Sequence, residues 1–185
     1  MKRIHLAGCV IIENESILLI QSKKNWYELP GGKINDKEEP EETAVRELKE
    51  ELSCEIKIII QLDTKDFEEN GLIITYHRFL AKIMSGQRPR IGEPEKFDHY
   101  RYIPLKKLTY HQLSPNMQNL AAEFRLVPNY SKCPYCKQRS KKNAVVLNVL
   151  PPHKRGENKP ISTKQDIRVC LICGGAVFHF FETRT

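Results

Sequence analysis

The chain has 185 residues, 40% of them hydrophobic, which is enough to bury a sizeable core in one domain with room for a small second one. No apolar run is long enough for a membrane span, so that class is excluded. The formal charge of +7 is uneven: residues 1–128 carry 19 Lys+Arg against 20 Asp+Glu, a net of −1, while residues 129–185 carry 11 against 3, a net of +8, which suits either a polyanion partner or a solvated basic face.

Lys2 and Arg3 precede an apolar run, Ile4 to Ile12, with the outline of a short secretory signal. The run contains His5 and enters Glu13-Asn-Glu15 without a small-x-small cleavage site, so it reads as the first strand and the expected location is the cytoplasm. Ser16 to Gln21 is a second β-rich run, and the two together predict a hairpin. Ser22 to Asn25 is a polar link to the single Trp26, either a packing residue or a base-stacking platform. Leu29-Pro30-Gly31-Gly32 is a turn signal, with glycines that permit close backbone approach.

Pro40 is tolerated at a first helical position and opens a predicted helix. At 3.6 residues per turn Glu47, Glu50 and Glu51 share one face, and Val45, Leu48 and Leu52 the opposite one. Like charges at these spacings repel by roughly 0.2–0.5 kcal/mol per pair, so stability alone does not account for three together. Either the face is solvated, as charge runs usually are, or it holds a hard divalent cation such as Mg²⁺, which takes oxygen ligands from a few carboxylates and substrate phosphates.

Gly32, five residues, Glu38, seven residues, then Arg46-Glu47-Leu48-x-Glu50-Glu51 resembles the Nudix hydrolase signature at every charged position. The lead-in from Trp26 to Lys33 resembles the segment that precedes that box. Two positions depart, Ser53 and Lys37, where the family commonly has glycine; both bear on backbone geometry and leave the acidic positions intact. The resemblance implies the Nudix fold, an α/β/α sandwich with a mixed sheet, and hydrolysis of a phosphoanhydride in a nucleoside diphosphate derivative with Mg²⁺ or Mn²⁺. It further implies that the Gly32 carbonyl, Glu47, Glu50 and Glu51 hold the metal, with Glu47 the first choice to accept a proton from the attacking water. Arg46 would orient a neighbouring carboxylate by a two-pronged hydrogen bond, with Glu38 its partner. Gly31, Gly32 and Lys33 are candidate substrate contacts.

Glu55 to Leu62 and Leu72 to Lys82 read as strands, joined across Asp66 to Gly71, where Asn70-Gly71 signals a turn. Ser85 to Glu93 reads as a loop. Several Nudix members take a further metal ligand or base from an equivalent loop; Glu95 fits that position, with Glu93 the alternative and a solvated glutamate the plain reading. Tyr100 to Ile103 is a short predicted strand, followed by Pro104 and a helical turn. Pro115 to Arg125 predicts a terminal helix with Ser114 as N-cap. Asn116 resembles the base-reading asparagine of triphosphate-cleaving members, its amide donating and accepting at once, or else caps the helix start.

Val127 to Ser131 is the expected boundary between a Nudix domain at 1–128 and a basic module at 129–185. Four of the six cysteines lie in the module, as Cys133-Pro-Tyr-Cys136 and Cys170-Leu-Ile-Cys173, and two such knuckles suit one tetrahedral Zn²⁺. With Ala144 to Leu150 and Ala176 to Phe181 as strands, the module reads as a small β-rich zinc ribbon with an enlarged middle loop. Two disulfides are the alternative, disfavoured in a reduced compartment. The zinc would be structural and would supply much of the module's folding free energy. Cys9 and Cys54 read as small buried hydrophobes.

The Glu-Pro-Glu-Lys segment and the compact layout resemble Nudix members that hydrolyse nucleoside triphosphates, oxidised or non-standard ones included, to monophosphate and pyrophosphate. The alternatives are an ADP-ribose, dinucleotide or nucleotide-sugar pyrophosphatase, and an RNA 5′-end hydrolase gripping RNA with the basic ribbon. NADH-cleaving members place their ribbon before the box and carry an S-Q-P-W-P-F-P-x-S motif after it; both features are missing here. The oligomeric state is left open.

Overall fold

The computed structural model describes residues 2–123, 125–128, 143–149, 165–170 and 176–178. The first apolar run divides into β1 (Lys2–Val10) and β2 (Ile12–Glu13), which enter different sheets. Only β2 forms the expected hairpin with β3 (Ser16–Ser22), pairing Ile12 with Ile17 and Glu13 with Ser16. Asn14 and Glu15 turn it with φ of 47° and 63°, the mirror-type turn that matches strand twist. β1 instead runs parallel to β7 (Leu72–Ile83) and antiparallel to β5 (Gly31–Lys33). With β6 (Ile56–Glu69) antiparallel to β7, this makes a mixed sheet of order β5-β1-β7-β6.

β6 and β7 continue further than their apolar stretches predict. Asp66 to Glu69 stay paired, and the connection shrinks to Asn70-Gly71, both at positive φ. Strand pairing persists through polar residues because Arg78 and Asp63, both almost fully buried, satisfy one another across the ladder, with Nε to Oδ1 at 2.7 Å.

The second sheet joins β2, β3 and β4 (Tyr27–Glu28), with β8 (Phe97–Pro104) antiparallel to β3. Alternation along the central strands sends side chains to two cores. Val10, Ile17 and Leu19 pack with Met117 and Leu120 of α2 (Pro115–Glu123), while Ala7, Cys9, Leu18 and Ile20 pack with Ala44, Leu48 and Leu52 of α1 (Pro40–Leu52). The result is the expected layering, sheets between two helices, with a 3₁₀ turn at Leu105–Tyr110 and with Ser114 Oγ accepting from the Met117 N–H at 3.3 Å.

α1 corrects one expectation. Its buried stripe is Ala44, Leu48, Glu51 and Leu52, spaced i, i+4, i+7 and i+8, and Val45 lies one step off that stripe, 37% exposed. Glu51 therefore leaves the open acidic face and is only 3% exposed. Beyond α2, β9 (Arg125–Pro128), β10 (Asn143–Val149), β11 (Gln165–Val169) and β12 (Ala176–Phe178) form an antiparallel sheet of order β12-β11-β10-β9. Cys170 is buried; Cys133, Cys136 and Cys173, and with them the expected zinc centre, lie outside the described residues.

Candidate active site

Three backbone devices converge on the C-terminal half of α1. β5 runs alongside the helix, and its Gly32 leaves room for a carboxylate: a Cβ there would stand 2.4 Å from Glu47 Oε2. Gly31, at φ 150°, lies against β1, where a Cβ would stand 2.3 Å from the Ala7 carbonyl oxygen. On the other side the 84–96 loop covers the helix end, with the Arg90 and Gly92 N–H groups donating to the Leu52 and Glu51 carbonyls at 2.9 and 2.8 Å. Those are carbonyls a helix terminus leaves unpaired. The Glu50 carbonyl would stand 2.0 Å from a Cβ at Gly92, so only glycine admits this approach, and it carries Glu93 to the site.

Arg46 is the hub of the exposed side. Its Nε and Nη2 donate to Glu38 Oε1 and Oε2 at 2.8 and 3.0 Å, a two-pronged contact. Its Nη1 donates to Glu47 Oε1 at 2.8 Å and Glu50 Oε2 at 2.9 Å, and Nη2 reaches the Lys33 carbonyl at 3.3 Å. The guanidinium hydrogen bond holds the Glu38 carboxyl down at about 2, and Glu38 in turn raises the pKa of Arg46.

Glu51 faces inward. The Gly31 N–H donates to its Oε2 at 2.8 Å, yet burial pushes its pKa well above the usual carboxylate range, with Glu47, Glu28 and Glu93 adding to the rise. Glu93 Oε1 accepts from Lys96 Nζ at 2.6 Å, and Glu93 Oε2 is buried with no hydrogen-bond partner among the described residues. That contact raises the Lys96 pKa.

A hard divalent cation fits this donor set. The groups are all oxygens, one carboxyl is buried with a single backbone N–H donating to it, and one carboxylate oxygen is buried with no hydrogen-bond partner among the described residues. Among the described residues the side chains are not gathered into a closed ligand cage, because Arg46 holds Glu47 and Glu50.

Beside the carboxylates opens a cavity of about 480 Å³. Gly31, Glu95 and Asn116 line it, together with Trp26, Phe67 and Tyr76. Glu95 therefore belongs to the cavity wall, and Glu93, the alternative, is the loop carboxylate at the helix. The Lys33 side chain is exposed and meets the site through its carbonyl. Sequence reasoning missed Glu28 and Lys96 in the same wall. A polar residue between the apolar Tyr27 and Leu29 was the only signal for the first.

The family model for the NUDIX domain matches residues 3–124. An "8-oxo-dGTP diphosphatase" of Proteus vulgaris is 30% identical over 83 residues, covering 40% of this chain and 74% of that protein. The solved MutT NUDIX hydrolase of Burkholderia pseudomallei superposes with a TM-score of 0.61 at 26% identity, over 66% of this chain and 98% of that one. An ADP-ribose pyrophosphatase of Streptococcus suis shares the fold, with a TM-score of 0.52 at 18% identity over 64% and 84% of the two chains.

Proposed function

The chain belongs to the Nudix hydrolases, and from that premise we propose that it cleaves nucleoside triphosphates, oxidised or non-standard ones included, to monophosphate and pyrophosphate. The observation that carries this reading is the juxtaposition of the Arg46-held carboxylates with a nucleoside-sized cavity lined by Trp26, Phe67 and Asn116. The printed activity of the Proteus vulgaris relative supports it.

Glu47, Glu50, Glu51 and the Gly32 carbonyl would hold Mg²⁺ or Mn²⁺, with Glu93 the loop carboxylate nearest to hand. When bound, such an ion supplies positive charge for phosphate oxygens and a water of lowered pKa. Glu47 accepts a proton from the attacking water, and Arg46 fixes the carboxylate that does so while Glu38 fixes Arg46. Gly32 leaves room for the Glu47 carboxylate, and Gly31 keeps β5 close against β1, so that the carboxylates stand beside the phosphate path. Asn116 meets the base from the start of α2.

A structural zinc is proposed for the tail. Pro128, Asn143, Val169 and Ala176 lie at one end of the antiparallel sheet, and in sequence Cys133 and Cys136 fall between the first two and Cys170 and Cys173 between the last two. The net charge of +8 over 129–185 favours a second reading in which that module grips an RNA 5′ end. Product analysis with Mg²⁺ across triphosphates, oxidised triphosphates, ADP-ribose, dinucleoside polyphosphates and triphosphorylated RNA tests both. Pyrophosphate release from free triphosphates supports the first reading, and activity confined to RNA ends replaces it with the second.

A further inference from the structure

We infer that Glu28 determines which base the site accepts, its carboxyl pairing with the edge of the base held in the cavity beside α1. The inference rests on the triphosphate reading above. Glu28 lines the cavity with Trp26, Phe67 and Asn116. The aromatic pair offers a stacking surface, and a polar group beside such a surface is how a base edge is read once the base is unpaired.

The backbone around Glu28 is rigid. Tyr27, 6% exposed, stands edge-on to the rings of His99 and His111, with its Oη 3.0 Å from His99 Nε2. Its N–H donates to the Gln112 carbonyl at 2.8 Å, and its carbonyl accepts from the Ser114 N–H at 3.0 Å. The last bond ties β4 to the start of α2, so Glu28 and Asn116 are presented from one frame. A fixed frame is what discrimination between base edges requires.

Among the described residues no hydrogen bond engages the Glu28 carboxyl. The charged groups facing it are Lys24 from the polar link, Glu69 from the end of β6 and Glu51 from α1. Of the other cavity lysines, Lys23 is paired with Asp98 and Lys96 with Glu93. Burial outweighs the favourable effect of Lys24 and moves the carboxyl up to about 7. A half-buried acid with no hydrogen bond from the described residues, standing in a cleft, is a candidate for ligand contact.

The chemistry gives a direction. An ionised carboxylate presents two acceptors, which match an edge with two adjacent N–H donors, as N1–H and N2–H of guanine. A glutamine presents one donor and one acceptor, which match N6–H and N1 of adenine. Glu28→Gln is therefore expected to lower the guanine-to-adenine ratio of kcat/KM by on the order of tenfold, mainly through KM.

The test compares wild type, Glu28→Gln and Glu28→Ala on dGTP and dATP with Mg²⁺, well on the alkaline side of neutrality so that the raised carboxyl is ionised. It is paired with calorimetric binding of GMP and AMP, which needs no turnover, and with thermal melting to verify folding. A lowered guanine-to-adenine ratio in turnover and binding supports the inference. An unchanged ratio with active wild type overturns it and leaves the triphosphate reading standing. A wild type that hydrolyses neither triphosphate overturns that reading, and the GMP-to-AMP binding ratio then decides the role of Glu28 by itself.

Discussion

The backbone N–H of Gly31 donates to Glu51 Oε2 at 2.8 Å, so a carboxyl only 3% exposed is held by one neutral donor. One such bond does not compensate a buried charge, and the raised pKa of Glu51 records the deficit. A divalent cation held by Glu51 in the folded state would remove it. Melting is predicted to shift upward with Mg²⁺, by the equivalent of about 2.7 kcal/mol at a free concentration about a hundredfold above Kd. Glu51→Gln is predicted to be at least as stable as wild type without the ion and to gain little from it. A variant that gains as much as wild type would detach Glu51 from the metal.

Ser53 and Lys37 stand where the Nudix box commonly has glycine, and both have left-handed backbones, with φ of 50° and 70°. Ser53 ends α1, its N–H donating to the Lys49 carbonyl at 3.0 Å. A side chain in this region costs about 1–2 kcal/mol, partly offset because glycine loses more entropy on folding. Ser53→Gly and Lys37→Gly should each stabilise the protein by about 0.5–1 kcal/mol. Urea unfolding checks this, and destabilisation by either would mean that the replaced side chain makes contacts worth more than the strain.

Glu38 loses its proton more readily folded than unfolded, because the Arg46 guanidinium bonds the ionised form and holds it at about 2 against an ordinary 4.5. Its contribution to stability is therefore complete above 4.5 and disappears as pH falls toward about 2. Urea midpoints should fall across that window in wild type and fall less in Glu38→Gln, which starts lower at neutral pH. Parallel profiles would show that the pair contributes nothing to stability.

Elemental analysis of protein purified under reducing conditions should find about one zinc per chain, since there is one four-thiolate set. A metal-free tail would remove the ribbon.

Pro40 and the periodicity after it made the helix legible, because both are local in sequence, whereas the Arg46–Glu38 contact was an expectation from the family resemblance of the Gly32 to Glu51 stretch. The division of the first run was not legible, since an unbroken apolar pattern from Leu6 to Ile12 carries no mark where the chain changes sheets. Val45 and Glu51 exchange places relative to expectation because polarity alone ranks valine as buried, whereas β5 sets the register of the helix and gives Glu51 a partner in Gly31. Polar β6 continued as a strand because Arg78, distant in sequence, compensates Asp63. Glu28 escaped notice for the same reason: its cavity is assembled from β4, β6, β7, the loop before β8 and the start of α2.

The most direct test is the rate of Mg²⁺-dependent pyrophosphate release from nucleoside triphosphates by wild type and by Glu50→Gln, with melting to confirm that both are folded. Glu50 is half-exposed, with Arg46 its hydrogen-bond partner, so its loss should leave the fold intact. The account predicts metal-dependent release by wild type and a loss of at least about a hundredfold in the variant. Undiminished release by Glu50→Gln would contradict the assignment of the α1 carboxylates as the metal site.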